Sequence, residues 1–270
     1  MLATRHYMID AYGCFSEQTN NFMLINDFLI NVTHKLDMKP VMPPYILPFY
    51  YSEDAEDVGI SAFVICDEGS HVTIHTFPQR SCYFIDILTN SFLAEDEVSD
   101  FIRNQLYASN LYIHTVDRRE FECDTGTVDS MNDFGPHYMA AVNSPDVSFE
   151  GIYKWLDTIA PEINMQPISR PIVVYDKVKN PSYISGILVV AQSHIAFHYS
   201  IEDDVANIDI ISCSFLGNGV VEKLLNDCFG DKIKLKLFAR GSKHRYECQH
   251  YTRQSRIEKC QSWRKNIYNF

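Results

Sequence analysis

The chain has no run of eighteen apolar residues, so nothing in it reads as a membrane-spanning helix. Its eight cysteines, at 14, 66, 82, 123, 213, 228, 248 and 260, form no C-x-x-C pair, which argues against a zinc ribbon. No G-x-S-x-G surrounds Ser70 or Ser193, so the nucleophile elbow of a Ser-His-Asp hydrolase is missing. The opening Met1-Leu2-Ala3-Thr4-Arg5-His6 lacks the apolar core of a secretory signal. Free thiols in a reducing cytoplasm are therefore expected. Positive charge is scarce: 23 Lys+Arg face 35 Asp+Glu, for a net charge of −12. The exception is 232–270, where eleven Lys/Arg against Glu247 and Glu258 give +9, leaving −21 for 1–231. Such an acidic body argues against nucleic acid as a partner. The basic tail then lies on that body or stays solvated.

What is present is a repeat. Two apolar runs, Ser61–Cys66 and Cys82–Leu88, flank a polar core, Gly69-Ser70-His71-x-x-x-His75. Ser70, His71, His75 and Asp86 recur 123 positions later as Ser193, His194, His198 and Asp209. Ser91-Phe92-Leu93 likewise returns at 214–216. At 270 residues and 46% hydrophobic, the chain can bury one large core or two small ones, and the repeat favours two similar halves.

Periodicity orders each half as strand, helix, strands, helix, strand. In the first, Arg5–Tyr12 opens as a strand, and Phe22, Leu24, Ile25, Phe28, Leu29 and Val32 give a helical apolar face. Pro40, Pro43, Pro44 and Pro48 mark a loop or irregular edge, and 53–57 an acidic turn. The runs 61–66 and 82–88 are expected to pair as antiparallel strands. A helix over 95–107 and a strand over 111–116 follow. The second half opens at Pro136-His137-Tyr138-Met139, an echo of Arg5-His6-Tyr7-Met8. Helices over 149–159 and 220–229 and strands over 172–175, 187–191, 206–211 and 233–238 complete it. The expected fold is α+β, with antiparallel sheets packed face to face and helices outside. The expected bounds are 1–123 for the first half, 124–133 for a linker, 134–249 for the second half and 250–270 for a basic tail.

Several chemistries need Ser beside His. His71/His75 and His194/His198 are spaced i, i+4, which on a helix would suit a metal ion. On a strand the same spacing separates the residues by about 13 Å, too far for one ion. No metal is expected. A third chemistry starts from the serine hydroxyl. It attacks the preceding carbonyl, the chain is cut by elimination, and a pyruvoyl group is left at the new N-terminus, with a nearby His to move protons. Such a ketone forms a Schiff base with a substrate amine and acts as an electron sink for decarboxylation. Spacing alone does not choose among these options.

The stretch resembles the bacterial-type S-adenosylmethionine decarboxylases. Their signature is S-G-x-x-x-x-x-E-S-H-x-x-x-H-T-W-P-E followed by D-x-x-x-C. Ser70-His71-x-x-x-His75-Thr76-Phe77-Pro78 and Asp86 match it, as does the opening Arg5-His6…Tyr12-Gly13-Cys14. The second half keeps Ser185-Gly186, Ser193-His194, His198, Glu202, Asp209 and Cys213 at the same spacing. The resemblance implies a self-made pyruvoyl cofactor at the serine beside the histidine, and a later cysteine as proton donor. It also implies an upstream serine, the second histidine and a glutamate supplied by a partner subunit. A tandem fusion would hold that dimer in one chain, with further self-association left open. Site one would then use Ser70 with Ser185, His198 and Glu202. Site two would use Ser193 and Cys213 with Ser61, His75 and Gln79.

Each implied site departs from the pattern once. Asn90 stands where site one needs its cysteine, and an amide is no acid. Gln79 stands for the glutamate of site two and cannot accept two hydrogen bonds as a carboxylate does. The residue before the serine is Gly69 or Gln192 in place of glutamate, and the first copy has one extra residue between Ser61 and Ser70. Ala55 and Lys179 occupy the position of an adenine-stacking aromatic, for which Tyr50, Tyr51 or Tyr183 are substitutes. Three readings follow: a self-processing S-adenosylmethionine decarboxylase for spermidine synthesis, a pyruvoyl decarboxylase for ornithine or arginine, or an unprocessed binding relative. Asp86 and Asp209 are expected to fix strand or turn geometry, and His6 and His137 to be structural.

Overall fold

The computed structural model describes residues 2–49, 57–120, 126–129, 133–177, 181–213, 215–216, 219–230 and 233–241. The basic tail at 250–270, half of the expected linker, and Tyr50, Tyr51, Ala55 and Lys179 lie outside them. The chain divides into two compact units. One comprises Met1–Phe121, Asp176–Tyr183 and Ser200–Asp203, and the other Glu122–Tyr175, Ile184–Tyr199 and Asp204–Phe270. Among the described residues no helix is long and apolar enough to cross a membrane.

The first sheet holds β1 (Arg5–Cys14), β2 (Tyr45–Phe49), β3 (Gly59–Cys66), β4 (Ser70–Phe77), β5 (Cys82–Thr89) and β6 (Ala108–Asp117). Their spatial order is β2-β3-β4-β5-β1-β6. Helices α1 (Ser16–Thr19) and α2 (Phe22–Lys35) follow β1, and α3 (Glu95–Gln105) follows β5. Asn21 caps α2 by accepting from the Leu24 N–H at 3.1 Å, which satisfies one of the helix's orphan donors. Ile25, Phe28, Leu29 and Val32 then form its buried stripe.

Strand alternation sorts the sheet's two faces. Tyr7, Ile9, Ala62, Val64, Val72, Ile74, Ile85 and Ile87 join the cluster formed with α2 and α3. The intervening residues, His6, Ser61, His71, Thr73, His75 and Asp86, point to the opposite face and are buried as well. The polar residues singled out by the repeat thus share one face.

The second sheet repeats this plan. It holds β7 (Gly135–Asn143), β8 (Ile172–Asp176), β9 (Tyr183–Val190), β10 (Ser193–Ser200), β11 (Val205–Ile211) and β12 (Ile233–Arg240), in the order β12-β7-β11-β10-β9-β8. Read from β8, this is the first order element for element. Helix α4 (Phe149–Glu162) carries buried Ile152, Leu156 and Ile159, and α5 (Val220–Phe229) carries Val221 and Leu225. A Cβ on Gly186 would come within 2.6 Å of Leu156 Cδ1, so glycine lets α4 lie close to β9 immediately beside Ser185.

The α+β class and the two repeated antiparallel sheets are as expected. The strand pairing needs correction. The runs 61–66 and 82–88 are not neighbours, because the polar segment between them is itself a strand, β4, which pairs with β3 on one side and β5 on the other. Ser, His and Thr at alternate positions hid it, since a strand polar on one face and apolar on the other lacks a continuous apolar run. Pro48 sits in β2 at the sheet edge, where its missing N–H leaves no ladder bond unmade.

Candidate functional site

Two hairpins carry the candidate residues, β3–β4 in the first half and β9–β10 in the second. Antiparallel register places Ser61 directly opposite His75. Directly opposed side chains start about 5 Å apart, within reach of a hydroxyl and an imidazole. Ser61 Oγ lies 2.9 Å from His75 Nδ1, and both residues are buried. The second hairpin repeats this contact, with Ser185 Oγ 2.9 Å from His198 Nδ1. The other histidine of the first motif has a different neighbour. His71 packs edge-on against the His6 ring at 6.2 Å, so the two rings of the motif serve different neighbours.

Ser70 and Ser193 open β4 and β10, at the turn end of each hairpin. Five residues of strand, roughly 17 Å, separate each from the histidine of its own strand. Neither half therefore brings its candidate serine to its own Ser–His pair.

The turns differ. Asp67, Glu68 and Gly69 form the first, with left-handed φ of +58° at Glu68 and +65° at Gly69. Asp67 O accepts from Ser70 N at 3.1 Å and also from the Ser70 hydroxyl. The second turn is Ala191-Gln192, with φ of +65° at Gln192. The extra residue of the first copy thus falls in the turn. Ser193 Oγ is buried and has no hydrogen-bond partner among the described residues. Beside this turn lies Cys213, half-buried, its Sγ 4.0 Å from Ala191 O. The corresponding Asn90 donates Nδ2 to Glu68 Oε2 at 2.9 Å, again at the turn.

The remaining candidates lie beyond the strands' far ends. Gln79 is exposed in the 3-10 turn Pro78–Arg80, which Arg80 anchors by donating Nε and an Nη to buried Asp57 at 3.1 and 2.9 Å. Glu202 is exposed, and its carboxylate accepts from the backbone N–H and the hydroxyl of Ser182 at 2.5 and 3.1 Å. Tyr183 opens β9 and is buried.

One constellation escaped the sequence reading. Arg118, just past β6, approaches His6 Nδ1 at 3.4 Å, and His6 Nε2 lies 3.4 Å from Asp86 Oδ1. Arg240 at the end of β12 repeats this with His137 Nδ1 at 3.2 Å, and His137 Nε2 lies 3.5 Å from Asp209 Oδ1. All six residues are buried. Arginine can only donate, so Nδ1 accepts and the ring proton sits on Nε2, facing the carboxylate. Each imidazole thus links a buried cation to a buried anion. The echo of His6 in His137 and of Asp86 in Asp209 was visible in the sequence. The arginines were not, although each stands at the close of its half's last strand.

The S-adenosylmethionine decarboxylase family profile matches residues 5–119 and 147–241. The S-adenosylmethionine decarboxylase proenzyme of Thermococcus onnurineus is 27% identical over 114 residues, covering 42% of this chain and 75% of the relative. That of Thermococcus gammatolerans is 28% identical over 127 residues, covering 47% and 82%. The Clostridium botulinum proenzyme is 34% identical over 86 residues, covering 32% and 67%. The crystal structure of the adenosylmethionine decarboxylase from Aquifex aeolicus aligns at 17% identity and a TM-score of 0.36, covering 47% of this chain and all of that one. With the profile matched in two successive segments that span most of its length, the chain belongs to the S-adenosylmethionine decarboxylase family and carries the family unit twice.

Proposed function

We propose that the chain is a self-processing, pyruvoyl-dependent S-adenosylmethionine decarboxylase, a carboxy-lyase supplying the aminopropyl donor for spermidine synthesis. The observation that carries this reading is the buried Ser–His contact found in both hairpins at the same 2.9 Å, on a strand that begins at a serine following a left-handed residue. An uncommitted hydroxyl next to a strained peptide suits a backbone rearrangement, so the residues at the second turn fit a serine-derived pyruvoyl group. Once formed, such a ketone supplies the electron sink for loss of CO2 from an amine-bearing substrate.

The chain's own residues would do the rest. His75 and His198 hold or pass a proton through Nδ1 to the hydroxyls of Ser61 and Ser185. Cys213 offers a thiol proton beside its turn. Gln79 and Glu202 present polar groups to a small substrate, Glu202 as a carboxylate already oriented by Ser182. A reducing cytoplasm suits this reading, since Cys213 must remain a thiol to donate.

The test is release of labelled CO2 by purified protein from carboxyl-labelled S-adenosylmethionine, with ornithine and arginine in parallel. Turnover of S-adenosylmethionine alone is expected. Turnover of ornithine or arginine instead would move the protein to another amino acid. No turnover of any of the three would leave a binding relative.

A further inference from the structure

Resting on that reading, we infer that the chain cuts itself once, before Ser193, and that Ser70 keeps its hydroxyl. The two serines occupy matched places in matched hairpins, yet their surroundings separate them in three respects.

The first is the nucleophile. The three-residue turn puts the Asp67 carbonyl where it accepts from the Ser70 hydroxyl. An attack by that oxygen on the Gly69 carbonyl must first break this bond. The two-residue turn of the second hairpin offers Ser193 no such acceptor. Its Oγ, on a residue with 0% of its surface exposed, stands without a partner among the described residues.

The second is the peptide to be broken. Both residues ahead of the serines have φ of +65°. Glycine adopts that conformation freely, whereas glutamine pays for its Cβ. Scission after Gln192 releases strain that Gly69 does not hold.

The third is the neighbouring group. Cys213 sits by the Ala191-Gln192 turn with a thiol that can give and take a proton. Asn90, in the same place, has an amide engaged by Glu68. The first half therefore keeps the fold of the processing hairpin and lacks its chemistry.

The step balances on these atoms. Ser193 Oγ bonds to the Gln192 carbonyl carbon as the Gln192–Ser193 C–N bond breaks, giving an ester and a free Ser193 amine. The Ser193 Cα proton then leaves as the Cβ–Oγ bond breaks. Gln192 departs as a carboxylate and an enamine remains on residue 193. Protonation at Cβ gives an imine; one water adds and one ammonia leaves, and the ketone is formed without any oxidant or reductant.

Mass spectrometry of the full-length protein under denaturing conditions tests this. Fragments 1–192 and 193–270 are expected, unchanged in S70A, with S193A remaining a single chain. Fragments 1–69 and 70–270, or three pieces from two cuts, would overturn the single-cut assignment while leaving self-processing intact. An uncut wild-type chain would overturn both this inference and the decarboxylase reading. The wild-type masses decide the matter even if S193A does not fold.

Discussion

The β3–β4 and β9–β10 hairpins are alike at one end and different at the other. At the histidine end, each holds a buried serine hydroxyl 2.9 Å from Nδ1. At the turn end, the first hairpin has a three-residue loop that binds its own serine, and the second a two-residue loop whose serine hydroxyl has no partner among the described residues. A duplicated unit relaxes where one copy can stand in for the other. The turn end has diverged and the histidine end has not, the pattern expected if both Ser–His pairs meet one requirement and only the second turn is processed, as we propose.

Predictions follow from this contrast, ordered by expected effect. Cys213→Ser removes a thiol proton, and turnover of the labelled substrate should fall by roughly 10²- to 10⁴-fold, the usual worth of a general acid. Asn90→Ser should change turnover by less than about 2-fold, since a surface change away from any chemistry is nearly neutral. Equal losses in the two variants would break the asymmetry.

Where the halves agree, their variants should agree. Asp86→Asn and Asp209→Asn each remove a buried negative charge from beside the histidine of its half, so each should lower stability by about 1–3 kcal/mol in denaturant unfolding. Ser61→Ala and Ser185→Ala take the hydroxyl partner from a buried imidazole, at about 1–3 kcal/mol each. Unequal costs within either pair would show that the repeat is looser than its geometry.

The thiols give a pH test. Burial pushes the Cys14 thiol from 9.0 up to about 12, partly offset by a backbone hydrogen bond from Tyr83. Cys66 and Cys82 are raised as well, chiefly by burial. An unfolded thiol ionises near 9 while a folded one resists, so this stability is complete below about pH 9 and is lost as pH climbs toward 12. Of the described thiols of the second half, Cys213 is half-buried and Cys228 exposed, and Cys228 joins the three buried thiols of the first half in being pushed up by burial. Hydrogen exchange between pH 8 and 11 should therefore show the first half opening first. The smallest effect on stability is that of Gln192→Gly in the uncut S193A chain, where it relieves a left-handed side chain and should stabilise by about 1 kcal/mol in denaturant unfolding.

Much of this was legible in the sequence because the repeat is long and its spacing nearly fixed. Ser70, His75, Ser193 and His198 could be named from the 123-residue interval, and α2 and α4 from their apolar stripes. Strand β4 was harder, since its polar residues face one way and break the apolar pattern. Arg118 and Arg240 were harder still, because a buried arginine is recognised by its partners, and His6 reaches Arg118 from a strand about 110 residues away in sequence. The orphaned Ser193 hydroxyl had no sequence signal at all; it depends on which carbonyl the turn leaves within reach.

The central claim is that this polypeptide makes a ketone from its own backbone. Labelling the denatured protein with a hydrazide probe tests it most directly. The account predicts one labelled fragment beginning at residue 193, its N-terminus closed to amine chemistry. A full-length chain that takes no label, with a serine intact at 193, would contradict it.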